Sequence, residues 1–166
     1  MEKIKPVDQR SLRNALGCFA TGVTVITGCG ADGALLGFTA NSFNSVSLEP
    51  PLVLFSLDKR ANSLGAFFES HHFAVNVLSG DQRALSGNFA RPHPDKWNNI
   101  AYTTWETGCP ILIGALASFE CHTRERYDGG DHVIFVGEVV HMATDPSKKP
   151  LLYFRGAYGK LSPEAH

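Results

Sequence analysis

The spacing of apolar residues changes several times along the chain, and each change marks an element. Between residues 8 and 20, Leu12, Leu16 and Phe19 recur at i, i+4 and i+7 on one helical face, with Asp8 placed as an N-cap. The β-branched run Val23-Thr24-Val25-Ile26-Thr27 then predicts a strand. A glycine-rich turn over 28–33 leads to strands expected at 35–40, 45–48 and 52–57, the last two separated by Glu49-Pro50-Pro51, where a ladder is interrupted. Asn62 or Ser63 caps a short helix that buries Leu64, Phe67 and Phe68. A strand over 73–78, a short helix over 81–89 and a polar, proline-containing loop over 91–99 follow. Two long strands, 114–126 and 133–142, flank the turn Tyr127-Asp128-Gly129-Gly130-Asp131, and the aromatic tail 151–161 packs back on the core.

Many strands at short spacing and few helices predict a mainly β domain, an antiparallel barrel in a Greek-key arrangement. No linker or repeat divides the 166 residues, so residues 1–166 read as a single domain. The net charge of -1, without a long run of either sign, argues against nucleic acid and against a polybasic membrane anchor. No apolar run approaches the roughly 20 residues needed to span a bilayer. The start, Met1 to Pro6, lacks a signal-peptide core, and Cys18, Cys29, Cys109 and Cys121 include no C-x-x-C pair. Reduced thiols and a cytoplasmic setting are expected.

Gly28-Cys29-Gly30-Ala31-Asp32-Gly33 matches the dinucleotide fingerprint G-x-G-x-x-G and follows a strand. That chemistry needs a helix to begin there, so that its N–H groups meet a pyrophosphate. Ala34-Leu35-Leu36-Gly37-Phe38-Thr39 is not an amphipathic helix, so the glycines are read as a hairpin turn.

Two stretches carry candidate chemistry. In residues 37–47, Thr39, Asn41, Ser42, Ser45 and Ser47 alternate with aromatic and small residues, which suits a flat ligand with a polar edge. Taken alone, the same stretch reads first as an ordinary polar strand–loop–strand. In residues 56–63 a strand end delivers Lys59 and Arg60 with Ser56, Asn62 and Ser63 before a helix, a combination that suits a phosphate. A solvated loop with a capped helix has the same composition. His71 and His72 are read as serving a helix C-terminus, and His93, His141 and His166 have no partner in sequence. A metal site is not expected, and no G-x-S-x-G elbow supports a hydrolase.

The stretches Phe19-Ala20-Thr21-Gly22-Val23-Thr24-Val25, Thr39-Ala40-Asn41-Ser42-Phe43, Ser45-Val46-Ser47 and Pro50-Pro51-Leu52-Val53-Leu54 run in order with Phe73-Ala74-Val75-Asn76-Val77-Leu78 and Phe89-Ala90. Gly114-Ala115-Leu116-Ala117, Glu120-Cys121, Gly130-Asp131-His132, Pro150-Leu151, Tyr153 and Gly156-Ala157-Tyr158 continue the series. As an ordered set they resemble the short-chain flavin reductases, the reductase components of two-component flavin-dependent monooxygenases. The resemblance implies an FMN-binding split barrel, a homodimer, FMN or FAD as flavin, and NADH or NADPH as co-substrate. It also implies a separate oxygenase that receives reduced flavin.

Carried over, Thr39, Ala40, Asn41, Ser42, Ser45, Val46 and Ser47 line the flavin ring and ribityl chain, with backbone N–H groups near Ala40 and Val46 at the ring edge. Ser56, Leu57, Asp58, Lys59, Arg60, Asn62 and Ser63 hold the phosphate end, and Phe89 and Ala90 lie at the far end. His132 is the catalytic, nicotinamide-side residue, with Tyr158 nearby. The alternatives are another reductase on the same barrel, acting for example on a corrinoid, a pyridoxamine-phosphate oxidase relative, or a non-enzymatic flavin- or haem-binding module.

Overall fold

A computed structural model describes residues 8–162; Met1 to Pro6 and His166 lie outside the described residues. The elements are α1 (Gln9–Leu16), β1 (Thr21–Gly22), β2 (Thr24–Cys29), β3 (Leu35–Ala40), β4 (Asn44–Leu48), β5 (Pro51–Asp58), α2 (Leu64–Glu69) and β6 (His72–Val77). They continue with α3 (Arg83–Phe89), β7 (Tyr102–Thr104), β8 (Pro110–Leu112), β9 (Ala117–Gly129), β10 (His132–Thr144), β11 (Leu152–Phe154) and β12 (Ala157–Gly159).

Seven strands form one antiparallel sheet in the order β3-β2-β6-β9-β10-β5-β4. Three hairpins, β2–β3, β4–β5 and β9–β10, supply six of the strands; only residues 41–43 separate the first two, and longer connections after β5 and β6 place β6 against β2 and β10 against β5. Alternation sets the two sides of the sheet. Ile26 of β2 enters the main core with Phe55, Phe73, Val75 and Phe135, and its neighbour Val25 enters a second core with Val23, Leu78, Phe89, Leu112 and Leu151. Cross-strand partners Phe55 and Phe135 stack at 5.0 Å.

The buried amide of Asn76 joins strands that do not all touch one another. Its Nδ2 donates to the Val25 carbonyl and to Thr27 Oγ1, each at 3.2 Å. Its Oδ1 accepts from Leu112 N at 2.9 Å and from Ser118 Oγ at 3.1 Å.

Several predicted boundaries move for local reasons. The first helix stops at Leu16 with Gly17 as its C-cap, although Asp8 caps it as expected, accepting from the N–H groups of Arg10 and Ser11. Its apolar face stays open, with Phe19 77% and Leu16 65% exposed. Phe68 is exposed rather than buried, whereas Phe67 is 2% exposed. The G-x-G-x-x-G segment is a hairpin turn, closed by a bond from Gly30 N to the Ala34 carbonyl at 2.8 Å, and no helix follows it. The long hairpin turns more tightly than its composition indicates, because β9 runs to Gly129 and only Gly130, with φ of 79°, and Asp131 separate it from β10. The tail does fold back: β11 and β12 form a hairpin beside β1, and Tyr153 and Tyr158 pack on the second core.

Candidate functional site

The sheet order leaves β3 and β5 without a shared ladder, yet the chain brings them together just past Ala40. Ser42 Oγ accepts from Ser56 N at 3.0 Å and donates to the Ser56 carbonyl at 3.2 Å, tying the loop after β3 to β5. Around this tie opens a cleft of about 840 Å³. Residues 37–42 form one wall, 56–63 with His132 a second, and Phe89 to Pro94 with Lys96 the third. The register of β10 on β5 sets His132 directly opposite Asp58.

Hydrogen bonding sorts the lining into groups already committed and groups free for a ligand. Thr39 Oγ1 donates to the Ser86 carbonyl at 2.7 Å, and Ser86 Oγ meets the Tyr158 hydroxyl at 2.8 Å. Asp58 holds Arg60 through two side-chain bonds of 3.1 and 2.8 Å, and this hydrogen bonding keeps the Asp58 carboxyl well below the usual carboxylate range. His132 Nδ1 lies 2.7 Å from Asp131 Oδ1, a contact that lowers the Asp131 pKa and leaves Nε2 without a partner among the described residues. The side chains of Asn41, Asn62, Ser63 and Arg91 make no hydrogen bond among the described residues, although all four line the cleft.

Of the residues singled out in the sequence, the cleft gathers Thr39, Ala40, Asn41, Ser42, Ser56, Leu57, Asp58, Arg60, Asn62, Ser63, Phe89, Ala90 and His132. Five lie outside its lining. Ser45, Val46 and Ser47 sit on β4 at the sheet edge, where the ladder to β5 shifts register and Val46 is half-exposed. Lys59 turns away to Asp128, 2.7 Å from it, because alternation along the strand end sends its side chain opposite to that of Asp58. Tyr158 stands behind Ser86 rather than in the cleft. Conversely, the third wall was read only as a polar loop, and Arg91, His93 and Lys96 line the cleft with Gly37. The signal was present: two prolines and three basic side chains directly after Phe89-Ala90.

The remaining histidines also depart from expectation. Ser70, not a histidine, caps α2, and His72 opens β6 opposite His122, with ring centroids 4.8 Å apart. Burial and the neighbouring His122 push the His72 pKa down. His141 has partners that only the fold supplies: its Nδ1 is 3.2 Å from the fully buried Glu120, and its Nε2 is 3.6 Å from Glu106. His93 bonds the Asn88 carbonyl at 3.2 Å. Among the described residues no group of three or more His, Cys, Asp or Glu is arranged to hold a metal ion.

Free amides and hydroxyls near one cation pair, apolar walls of Leu57 and Phe89, and further cations on the third wall fit a flat ring bearing a phosphate tail. A small β domain with such a cleft has room for a nucleotide cofactor without a Rossmann unit. The chain belongs to the flavin reductase like domain family, which matches residues 16–162. It is 45% identical to the FMN reductase (NADH) SmoA of Agrobacterium fabrum, over 93% of this chain and 87% of that protein. It is 44% identical to the reductase component of a flavin-dependent trigonelline monooxygenase from Acinetobacter baylyi, over 90% of this chain but only 48% of that longer protein. Among solved structures, the NADH:FAD oxidoreductase SgcE6 of Streptomyces globisporus in complex with NAD and FAD fragments superposes with a TM-score of 0.93 at 38% identity, covering 100% of both chains.

Proposed function

We propose that the chain is an NAD(P)H:flavin oxidoreductase that reduces FMN or FAD and passes the reduced flavin to a separate oxygenase. The single observation that carries this reading is the convergence of residues 39–42, residues 56–63 and His132, from distant parts of the sequence, on one cleft. Family membership and relatives named as flavin reductases support it.

Bound flavin supplies the chemistry by accepting a hydride from NAD(P)H, so no residue of the chain serves as a nucleophile. The chain binds and orients. Asn41, Asn62 and Ser63 offer unused donors to the flavin, and Ser56 and Arg60 stand on the same wall for its phosphate. The Asp58–Arg60 pair fixes the guanidinium before any ligand arrives, which lowers the cost of ordering it. Asp131 holds the His132 ring through Nδ1, so that Nε2 is left to position the nicotinamide carboxamide.

The working form is a homodimer in the cytoplasm. The exposed faces of Leu12, Leu16 and Phe19, with Leu48 at 94% exposure, supply apolar surface for a second copy. No described helix is long and apolar enough to cross a membrane, and all four cysteines are free thiols.

The test compares the native protein with His132→Ala, using FMN or FAD and NADH or NADPH. The expected result is a KM for the nicotinamide raised about tenfold with flavin affinity within about twofold. An unchanged KM removes His132 from the site. A native protein that oxidises no NAD(P)H upon flavin addition overturns the activity.

A further inference from the structure

Away from the cleft, a fully buried carboxylate holds one histidine in place. Strand β10 carries an extra residue, Val140, between the pairs Val139–Cys121 and His141–Glu120. In an unbroken ladder Val140 would stand opposite Glu120; the bulge puts His141 there and turns its side chain to the Glu120 face of the sheet. Glu120 is 0% exposed. Its Oε1 accepts from Thr107 N at 2.8 Å and from Thr107 Oγ1 at 2.7 Å, and its Oε2 lies 3.2 Å from His141 Nδ1. Thr107 belongs to the connection between β7 and β8, and its neighbour Glu106 meets the other side of the ring, with Oε2 3.6 Å from His141 Nε2. Segments distant in sequence therefore converge on one imidazole.

The two ring nitrogens have different tasks. An ionised carboxylate only accepts, so Nδ1 carries the proton in the contact with Glu120, and in the neutral ring Nε2 presents its lone pair. Metal-binding histidines are commonly held in this way, with the second nitrogen bonded to a carboxylate that fixes tautomer and orientation. A tetrahedral zinc ion with nitrogen and oxygen ligands at about 2.0–2.2 Å holds those two atoms roughly 3.4 Å apart. His141 Nε2 and the Glu106 oxygen already stand 3.6 Å apart, and the Glu106 side chain, 74% exposed, is free to close the difference. Neither Nε2 nor the Glu106 carboxylate has a further hydrogen-bond or ion-pair partner among the described residues. Glu106 and Glu120 set two negative charges around the ring, with no Lys or Arg within ion-pair distance of either among the described residues.

We infer that His141 Nε2 and the Glu106 carboxylate form a binding site for a divalent transition-metal ion of the zinc type. Two side chains contact the ion, and water fills its remaining coordination positions. A mixed imidazole and carboxylate pair favours zinc over magnesium, which keeps to oxygen ligands and dehydrates reluctantly. The ion ties the β7–β8 connection to β9 and β10 as a structural clasp. None of Glu106, Glu120 and His141 lines the cleft, so the inference stands apart from the flavin reductase reading.

The experiment is calorimetric titration with zinc chloride of the full chain, stripped with EDTA and transferred to a non-coordinating buffer near neutral pH. His141→Gln and Glu106→Gln are titrated alongside. Both side chains reach the surface, so neither change opens a buried gap, and circular dichroism verifies the fold. The expected result is one zinc ion per native chain, with affinity weakened about tenfold or more in Glu106→Gln and further in His141→Gln. Zinc also raises the melting temperature of the native chain but not that of His141→Gln. Three results overturn the proposal. Without measurable zinc binding, His141 is only an ion-pair bridge between two carboxylates. Zinc affinity within about twofold of native in His141→Gln places the ion on another histidine. Magnesium binding as tight as zinc excludes the imidazole as a ligand.

Discussion

Replacing Asn76 by leucine removes the hub between the two cores while keeping the branched outline of the side chain in a larger volume. The amide is fully buried and bonds groups on β2, β8 and β9. Leucine would leave the Leu112 N–H and the Ser118 hydroxyl without their shared acceptor, and the Val25 carbonyl and Thr27 hydroxyl without their donor. A buried polar group deprived of its partner costs about 1–3 kcal/mol. The Leu112 N–H has no rotational freedom with which to find another acceptor, whereas the Ser118 hydroxyl turns to a new one and the Thr27 hydroxyl keeps its bond to the Pro110 carbonyl, so a total of about 3–4 kcal/mol is expected. With a urea m-value of about 2 kcal/mol per M, the unfolding midpoint falls by about 1.5–2 M. Urea titration followed by far-UV circular dichroism measures this directly, and the m-value itself should not change. A midpoint shift under about 0.5 M would refute the assignment of Asn76 as a structural hub. A large loss of flavin affinity at unchanged stability would instead place it in the ligand site.

Four smaller predictions follow from the same contacts. Gly37→Ala forces Phe89 and Trp97 off β3, at a cost of about 1–3 kcal/mol by thermal unfolding, and weakens ligand binding in the cleft. Lys59→Ala, on an exposed pair with Asp128, leaves flavin affinity within about twofold, whereas Ser63→Ala lowers it. Tyr158→Phe loses only the bond to Ser86, so it costs about 1 kcal/mol in stability without raising the KM for the nicotinamide. Burial pushes the Cys109 thiol up to about 11 and the Cys121 thiol higher still. Both therefore stay protonated at pH 8, and a thiol reagent labels exposed Cys18 rapidly but reaches Cys109 and Cys121 only after denaturation.

The long elements were legible in the sequence because their signals are local. Leu35–Ala40 emerges with the bounds its apolar pattern implies, and β5 and β10 differ from expectation by a residue or two. The strands of two or three residues, β1, β7, β8, β11 and β12, are too short to show a period and exist only because tertiary partners hold them. At the site, Asn41, Asn62 and His132 were visible as residue types in a recognisable order. Their convergence was not, since the Ser42–Ser56 tie and the His132–Asp58 register are products of topology. The same limit hid the Arg91 to Lys96 wall, which rests on β3 only because Gly37, far earlier in the chain, makes room for it, a long-range packing fact with no local pattern. His141 escaped notice for the same reason, because its buried partner Glu120 lies on the neighbouring strand.

The most direct test of the central claim is anaerobic turnover with flavin in excess over protein. The native chain is mixed with FMN or FAD and with NADH or NADPH, and the absorbance of both cofactors is followed together. The account predicts that, with at least one pairing, each chain reduces many equivalents of flavin and consumes one NAD(P)H for each. Reduction that stops at one flavin per chain would contradict release to an oxygenase, and no flavin-dependent NAD(P)H oxidation with any pairing would contradict the reductase itself.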